Sequence, residues 1–343
     1  MSNYPAGTSI TVGDAADLWL AKSRRESLEP LTIEGYEALV RLHINPALGG
    51  HKLSSLTQPS IENAIDRLLE SKPRATVKKV LGAIAAILKE AKRLGHVGDN
   101  MASGIRLRRQ LRHKRRVIIP SKAELRRMIE QAREIGLMEY AIYMLLMFSG
   151  LRASELRGLI WSNIDFQKGT VTITQRADRK RRIGEPKSSA ARRTIPLAPE
   201  VLSSLTTWRV AAPASSLDLV FPTSAGTVWD YKNLMNRHFN RVQELAGIVN
   251  PVRDATGSCI FDHKGNQLWE ARYGMHAMRH AAASLWIEQR VNAKRIQVWL
   301  DRVDKRDSQS LRVLIQDCFL RSSHGSWGLV GCGVGTDRAA AAA

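Results

Sequence analysis

Cysteine is scarce in this chain. The three cysteines, Cys259, Cys318 and Cys332, are odd in number and fall at no metal-ligand spacing. That excludes a disulfide framework and points to a reducing, cytoplasmic compartment. No apolar run approaches the roughly 20 residues that a membrane span needs. The opening stretch, residues 1–10, lacks the basic and apolar regions of a secretory signal. No cluster of acidic, histidine and cysteine side chains suits a divalent metal, so no metal or other cofactor is expected. No internal repeat stands out. Acid is short as well: 32 Asp and Glu face 52 Lys and Arg.

The resulting net charge is +20, with an isoelectric point near 10.4. Such an excess calls for a polyanionic partner, nucleic acid first. The plainer alternative is a basic surface that is only solvated, and clustering of the charge argues against it. Arg106, Arg108, Arg109, Arg112, Lys114, Arg115 and Arg116 fall within eleven residues with no acid among them. With 343 residues, 44% of them hydrophobic, the chain is long enough for two folded domains.

Periodicity divides the chain into a short tail at 1–10, a helical domain at 11–95, a basic linker at 96–118, a second domain at 119–300 and an atypical tail at 301–343. In the first domain Thr11 and Asp14 suit a helix start, followed by an apolar stripe of Val12, Ala15, Ala16 and Trp19. Pro30 breaks the chain. Ile33, Tyr36, Val40 and Ile44 then recur at helical spacing up to Asn45-Pro46. Pro59 fits the first turn of a third helix. A fourth carries Val77 to Leu88 and ends at Gly95. Four short amphipathic helices make a small bundle. The second domain opens with a capping box, Ser121 and Glu124. Thr170-Val-Thr-Ile-Thr and Arg192-Arg-Thr-Ile-Pro-Leu alternate as paired strands. Leu219-Val-Phe-Pro reads as another short strand, and a loop or hairpin precedes Gly274. The fold class is mainly α with a small antiparallel β-sheet, an α+β domain preceded by an all-α four-helix domain.

Two stretches carry the chemistry. After the apolar run Ala141–Phe148, Ser149-Gly150 breaks the pattern and Arg152 stands at the mouth of the next helix, with Glu155, Leu156 and Leu159 continuing it. A guanidinium at a helix start beside a glycine corner suits an anion; equally, Arg152 can pair with Glu155 on a surface helix. Far downstream, His276 and Arg279 stand at i, i+3, on one helical face. Two arginine forks suit the non-bridging oxygens of one phosphodiester, and a histidine and a lysine suit its proton transfers. Between the paired strands lies a loop dense in cations: Arg176, Arg179, Lys180, Arg181, Arg182 and Lys187.

Ser149–Leu159 and His276–His280 resemble the two arginine boxes of the tyrosine recombinase (phage integrase) family, and the similarity covers most of the chain from Thr11 to Leu300. His43-Ile-Asn-Pro-Ala-Leu-Gly-Gly-His-Lys-Leu resembles a turn of the family's core-binding domain. The resemblance implies a core-binding domain on one face of duplex DNA and a catalytic domain on the other. It implies catalytic roles for Arg152, Lys187, His276 and Arg279, with Lys180 as fallback for the lysine. DNA contacts are expected from the linker cations and from Arg179, Lys180, Arg181 and Arg182. Further protomers are implied as partners, four on DNA in the family. The implied activity is site-specific recombination or integration for a mobile element, by way of a 3′-phosphotyrosyl intermediate.

The resemblance stops after Ile296-Gln-Val-Trp-Leu300. The family continues with Gly-His and, roughly a helix later, the nucleophilic tyrosine. Here Asp301-Arg-Val-Asp-Lys-Arg follows, and the last tyrosine of the sequence is Tyr273. The tail holds two of the three cysteines and a glycine-rich stretch, and it closes on five alanines; a shifted reading frame, a truncated gene, a cloning artefact or a disordered segment would each give that composition. The second functional reading is therefore a degenerate recombinase that binds DNA without cutting it. A general RNA-binding protein accounts for the charge but not for the ordered Arg, Lys, His-x-x-Arg set.

Overall fold

The computed structural model of the chain describes residues 10–107, 118–186, 192–254 and 256–300. They fall into two compact units, parted within the basic stretch after Leu107.

The N-terminal unit is all helix. Helix α1 (Val12–Arg25) starts at the expected box: the Thr11 hydroxyl accepts from the Asp14 amide at 3.2 Å, and the Thr11 amide donates to the Asp14 carboxylate at 2.9 Å. Its stripe of Val12, Ala15, Ala16, Trp19 and Leu20 is buried. Pro30 opens α2 (Pro30–Leu39) at its first turn, where a missing N–H goes unnoticed. The chain does not stop at Asn45-Pro46. It runs on from Val40 to Gly49 as a widened π-helical segment that contains Pro46. Proline clashes with the carbonyl four residues back, and the wider turn relieves that clash. Helix α3 (Gln58–Ser71) has Pro59 in its first turn and a Thr57–Ser60 capping box. Helix α4 (Arg74–Arg93) buries Val77, Val80, Leu81, Ile84, Ile87 and Leu88 in the common core. Gly95, at φ +80°, takes the left-handed turn beyond it.

The C-terminal unit begins with α5 (Lys122–Ile135), whose Ser121–Glu124 capping box forms as the spacing predicts. Helix α6 (Leu137–Ser149) is buried on nearly every side and is the spine of this unit. It packs against α5, α8 (Pro199–Ala211) and α11 (Met275–Glu288). Between α6 and α8 come the short α7 (Ala153–Arg157) and, among the described residues, five strands. Strands β1 (Ile164–Asp165), β2 (Thr170–Ile173) and β5 (Arg193–Pro196) form an antiparallel sheet with Thr172 opposite Thr194. Strands β3 (Arg176–Ala177) and β4 (Ile183–Gly184) make a separate small hairpin.

Leu219–Pro222 does not form a strand. Single bridges join Ile160 to Leu219 and Pro222 to Val228, because Pro222 has no N–H with which to extend a ladder. Helix α9 (Tyr231–Leu234), a π-helical turn (Met235–Phe239) and α10 (Asn240–Leu245) follow. The Tyr143 hydroxyl of α6 donates to the Phe239 carbonyl at 2.7 Å and fixes that turn to the core. Strands β6 (Val249–Pro251) and β7 (Trp269–Ala271) then pair, and α12 (Ala293–Trp299) closes the unit after α11.

A short repeat lies between β6 and β7, contrary to the expectation of none. Val252, Ile260 and Leu268 are eight residues apart, as are Asp254 and Asp262, and Gly257 and Gly265. Each aspartate accepts the amides two and four residues on, and each glycine has positive φ. Val252 donates to Leu268, Leu268 to Ile260 and Ile260 to Val252, a closed ring of backbone hydrogen bonds. Two copies with three shared positions are too few to stand out in sequence.

One charged group lies inside the N-terminal core. The Glu90 carboxylate is buried between Lys22 at 2.8 Å and the Arg93 fork at 2.9 and 2.5 Å. The hydrogen bond from Arg93, reinforced by Lys22 against the opposing effect of burial, lowers its pKa from 4.5 to about 2. The stability this pairing contributes is therefore complete above the ordinary value and is lost as pH falls toward the folded one. Urea unfolding of the N-terminal unit, followed through protected amides of α1 and α4, is expected to show a falling midpoint across that window. Glu90→Gln is expected to lower the midpoint at neutral pH and to flatten that part of the fall.

Candidate phosphate-binding site

The corner after α6 is built for close approach. Gly150 has φ +61°, and a Cβ there would lie 3.1 Å from the Leu300 side chain and 3.3 Å from Ala282. Only glycine meets both demands without strain. Leu151 is buried next to it, and Arg152 takes the N-cap position of α7 in extended conformation.

Arg152 does pair with Glu155, but not on a surface helix. Its amide and one Nη each donate to the Glu155 carboxylate at 2.9 Å. The Arg152 side chain is 38% exposed and that of Glu155 only 3%. From the other side Arg193 of β5 grips the same carboxylate with both Nη groups, at 2.9 and 2.7 Å. Burial works to raise the Glu155 pKa; the Arg193 fork, followed by the Arg152 amide and charge, outweighs it and holds the carboxyl below its ordinary range. Arg193 also donates from Nε to the Trp299 carbonyl at 2.6 Å.

Arg279 reaches the same corner from α11. It is 2% exposed, donates to the Gly150 carbonyl at 2.6 Å and bonds the Leu300 carbonyl with its other Nη. The two arginine boxes, far apart in sequence, therefore meet through the backbone two residues before Arg152. His276 lies one turn back on α11, exposed, its ring edge-on to buried His280 with centroids 4.7 Å apart.

The cationic hairpin is tied to the Arg152 helix. Arg157, buried at the end of α7, donates to the carbonyls of Ala177 at 3.1 Å and of Asp178. Burial lowers its pKa from the usual arginine value. Gly158 lets β3 come close: a Cβ there would fall 2.8 Å from the Ala177 amide. Arg179, Lys180, Arg181 and Arg182 are exposed on the β3–β4 turn, with Arg182 paired to Asp178 at 2.8 Å. Arg106 is exposed near the end of the N-terminal unit. Lys187 and the linker residues Arg108, Arg109, Arg112, Lys114, Arg115 and Arg116 lie outside the described residues.

The described tyrosines have structural partners. Tyr273 is buried, its hydroxyl donates to Glu124 at 3.1 Å, and Gln243 bonds both its amide and its carbonyl. Burial, then the Glu124 charge, raises its pKa. Tyr143 is buried with its pKa raised by burial. Tyr140, at the core edge, accepts from Arg133 at 2.8 Å. Tyr36 packs on Trp19, and Tyr231 lies under Arg157. Among the described residues no His, Cys, Asp and Glu group suits a metal. Arg193 and Arg157 were missed in the sequence. The signal for Arg193 was there: it alternates in phase with Ile195, which puts it on the buried face of its strand.

The model of the phage integrase family matches residues 121–309, and that of the phage integrase N-terminal SAM-like domain matches residues 11–69. The chain is 25% identical over 327 residues to a protein named "Tyrosine recombinase XerC-like" from Caldanaerobacter subterraneus subsp. tengcongensis, across 84% of this chain and 75% of that one. In fold it is similar to the Tn1549 transposon integrase in complex with a circular intermediate DNA, with TM-score 0.70, 18% identity, 88% of this chain and 95% of the other. It is also similar to the lambda integrase tetramer bound to a Holliday junction, with TM-score 0.65, 15% identity and coverage of 96% and 85%.

The corner makes a stability prediction. Gly150→Ala combines a left-handed backbone with two tight contacts, and it is expected to destabilise the C-terminal unit by about 1–3 kcal/mol. Urea unfolding checks this, and a change near zero would mean that α11 and Leu300 give way freely.

Proposed function

The chain belongs to the phage integrase family, and from that premise we propose that it is a catalytically impaired copy of a site-specific DNA recombinase of mobile-element type that grips a backbone phosphate with Arg152 and Arg279. The observation that supports this most is the hydrogen bond from Arg279 to the Gly150 carbonyl, which brings the second arginine box to the corner bearing the first. The structural neighbours are bound to DNA, which makes DNA the natural polyanion here, and the lambda integrase tetramer on a Holliday junction supports assembly of several protomers on it.

The chemistry is phosphoryl transfer through a protein nucleophile. A tyrosine hydroxyl attacks phosphorus, a 3′-phosphotyrosyl bond forms, and the 5′-oxygen leaves as a hydroxyl; a second strand reverses the step. Negative charge on the pentacoordinate phosphorus is stabilised by guanidinium forks, which do the work a metal does elsewhere. Arg152, half exposed at a helix start, faces the oxygens directly. A hairpin lysine, Lys187 or Lys180, protonates the leaving oxygen, and exposed His276 moves the proton of the nucleophile. The β3–β4 turn that carries Lys180 is tied to α7 by Arg157.

The second reading, DNA binding without cleavage, has its own support. No tyrosine follows Tyr273 in the sequence. Tyr273 itself is buried, bonded to Glu124 and raised in pKa, so it is poorly placed to attack. The linker cations serve either reading by contacting phosphates without reading bases.

Two measurements test the proposal. Duplex binding that neutralises about six phosphates gives a slope of roughly −5 in log affinity against log salt. An affinity indifferent to salt would remove the DNA reading altogether. A nicked suicide duplex separates the two readings, since it traps any phosphotyrosyl intermediate. Binding without an adduct is the expected outcome for this chain. An adduct that survives denaturation and vanishes in Tyr273→Phe would identify Tyr273 as a substitute nucleophile.

A further inference from the structure

We propose that Arg193 is a positioning residue of the phosphate clamp: it neutralises Glu155, so that Arg152 keeps its charge for the DNA backbone. This rests on the proposed reading of Arg152 as a phosphate ligand. Glu155 carries one negative charge and faces two guanidinium groups. Arg193 meets it with a two-point fork at 2.9 and 2.7 Å. Arg152 reaches it with a single Nη at 2.9 Å and an amide. A bidentate, fully buried fork is the stronger partner, so the carboxylate charge is answered from inside. Arg152 is thereby oriented by Glu155 without being cancelled by it.

Arg193 is 4% exposed and is anchored from a third side by the Trp299 carbonyl. It therefore does not reach DNA itself, and whatever it contributes to binding passes through Glu155 and Arg152. Without it, a buried carboxylate would be left with one partner, Arg152. A buried charge of that kind holds its remaining counter-ion firmly. Arg152 would be drawn inward and its charge spent.

The test is a salt titration of the full chain on a short random-sequence duplex. Arg152→Ala is expected to weaken binding several-fold and to reduce the salt slope by about 1, the mark of one lost phosphate contact. Arg193→Gln is expected to do the same despite its burial, and Arg152→Ala with Arg193→Gln to do no more than either alone. Arg193→Lys, which answers the charge through one point, is expected to recover part of the slope. The pair Glu155→Gln with Arg193→Gln removes the competing carboxylate and should return the slope to the wild-type value. Where Arg193→Gln fails to fold, Arg193→Lys decides: a slope between those of the wild type and Arg152→Ala supports the proposal, and a wild-type slope overturns it. A folded Arg193→Gln with unchanged slope, additive losses in the double variant, or a reduced slope in the Glu155→Gln pair would each overturn the proposal. If Arg152→Ala alone left slope and affinity unchanged, the clamp itself would be wrong and Arg193 would have nothing to position.

Discussion

A carboxylate buried between two guanidinium groups is the interaction on which the C-terminal unit turns. Taking Glu155 and Arg193 out of water is expensive, and a well-packed apolar pair would often serve stability as well. What an apolar pair cannot do is fix direction. The Arg193 fork matches the carboxylate in one plane, and the second side of that carboxylate then sets the amide and side chain of Arg152. Through these bonds α7 and β5 have one relative position, and the Trp299 carbonyl adds α12 to the set.

Buried arginines also finish helix ends here. A helix leaves its last carbonyls without partners. Gly150 is the C-cap of α6 and Leu300 that of α12, and Arg279 donates to both carbonyls. Arg193 takes the neighbouring carbonyl, Trp299. Arg157 does the same for the open backbone of the β3–β4 turn. One residue type thus satisfies orphaned backbone and collects positive charge around one corner, because a guanidinium carries several donors in a rigid frame.

Much of this was legible in sequence where the signal is local. The boxes at Thr11–Asp14 and Ser121–Glu124 formed as written, and the apolar run from Ala141 became the buried spine. Gly150 was legible as a corner, and its left-handed φ explains why. What depends on a distant partner was not legible. An arginine is read as a surface group by default, so Arg193 passed as an ordinary residue of the strand Arg192-Arg-Thr-Ile-Pro-Leu with no role of its own. Its strand phase with Ile195 held the clue, but the carboxylate it answers lies on another element. The π-helical course through Pro46 was hidden too, since proline reads as a stop wherever the turn is taken to be of fixed width.

The burial of the two box arginines differs, and the difference bears on how a phosphate is met. Arg152 has a side chain 38% exposed, whereas Arg279 is 2% exposed with its fork on two carbonyls. An anion arriving from solvent meets Arg152 first. Arg279 holds the backbone instead: its two bonds tie the C-cap of α6 to the C-cap of α12 just before Arg152. A guanidinium carries five N–H donors, so two carbonyl bonds need not break for the group to act on an anion. The two box arginines thus divide the work, one reaching solvent and the other fixing the corner from which the first projects.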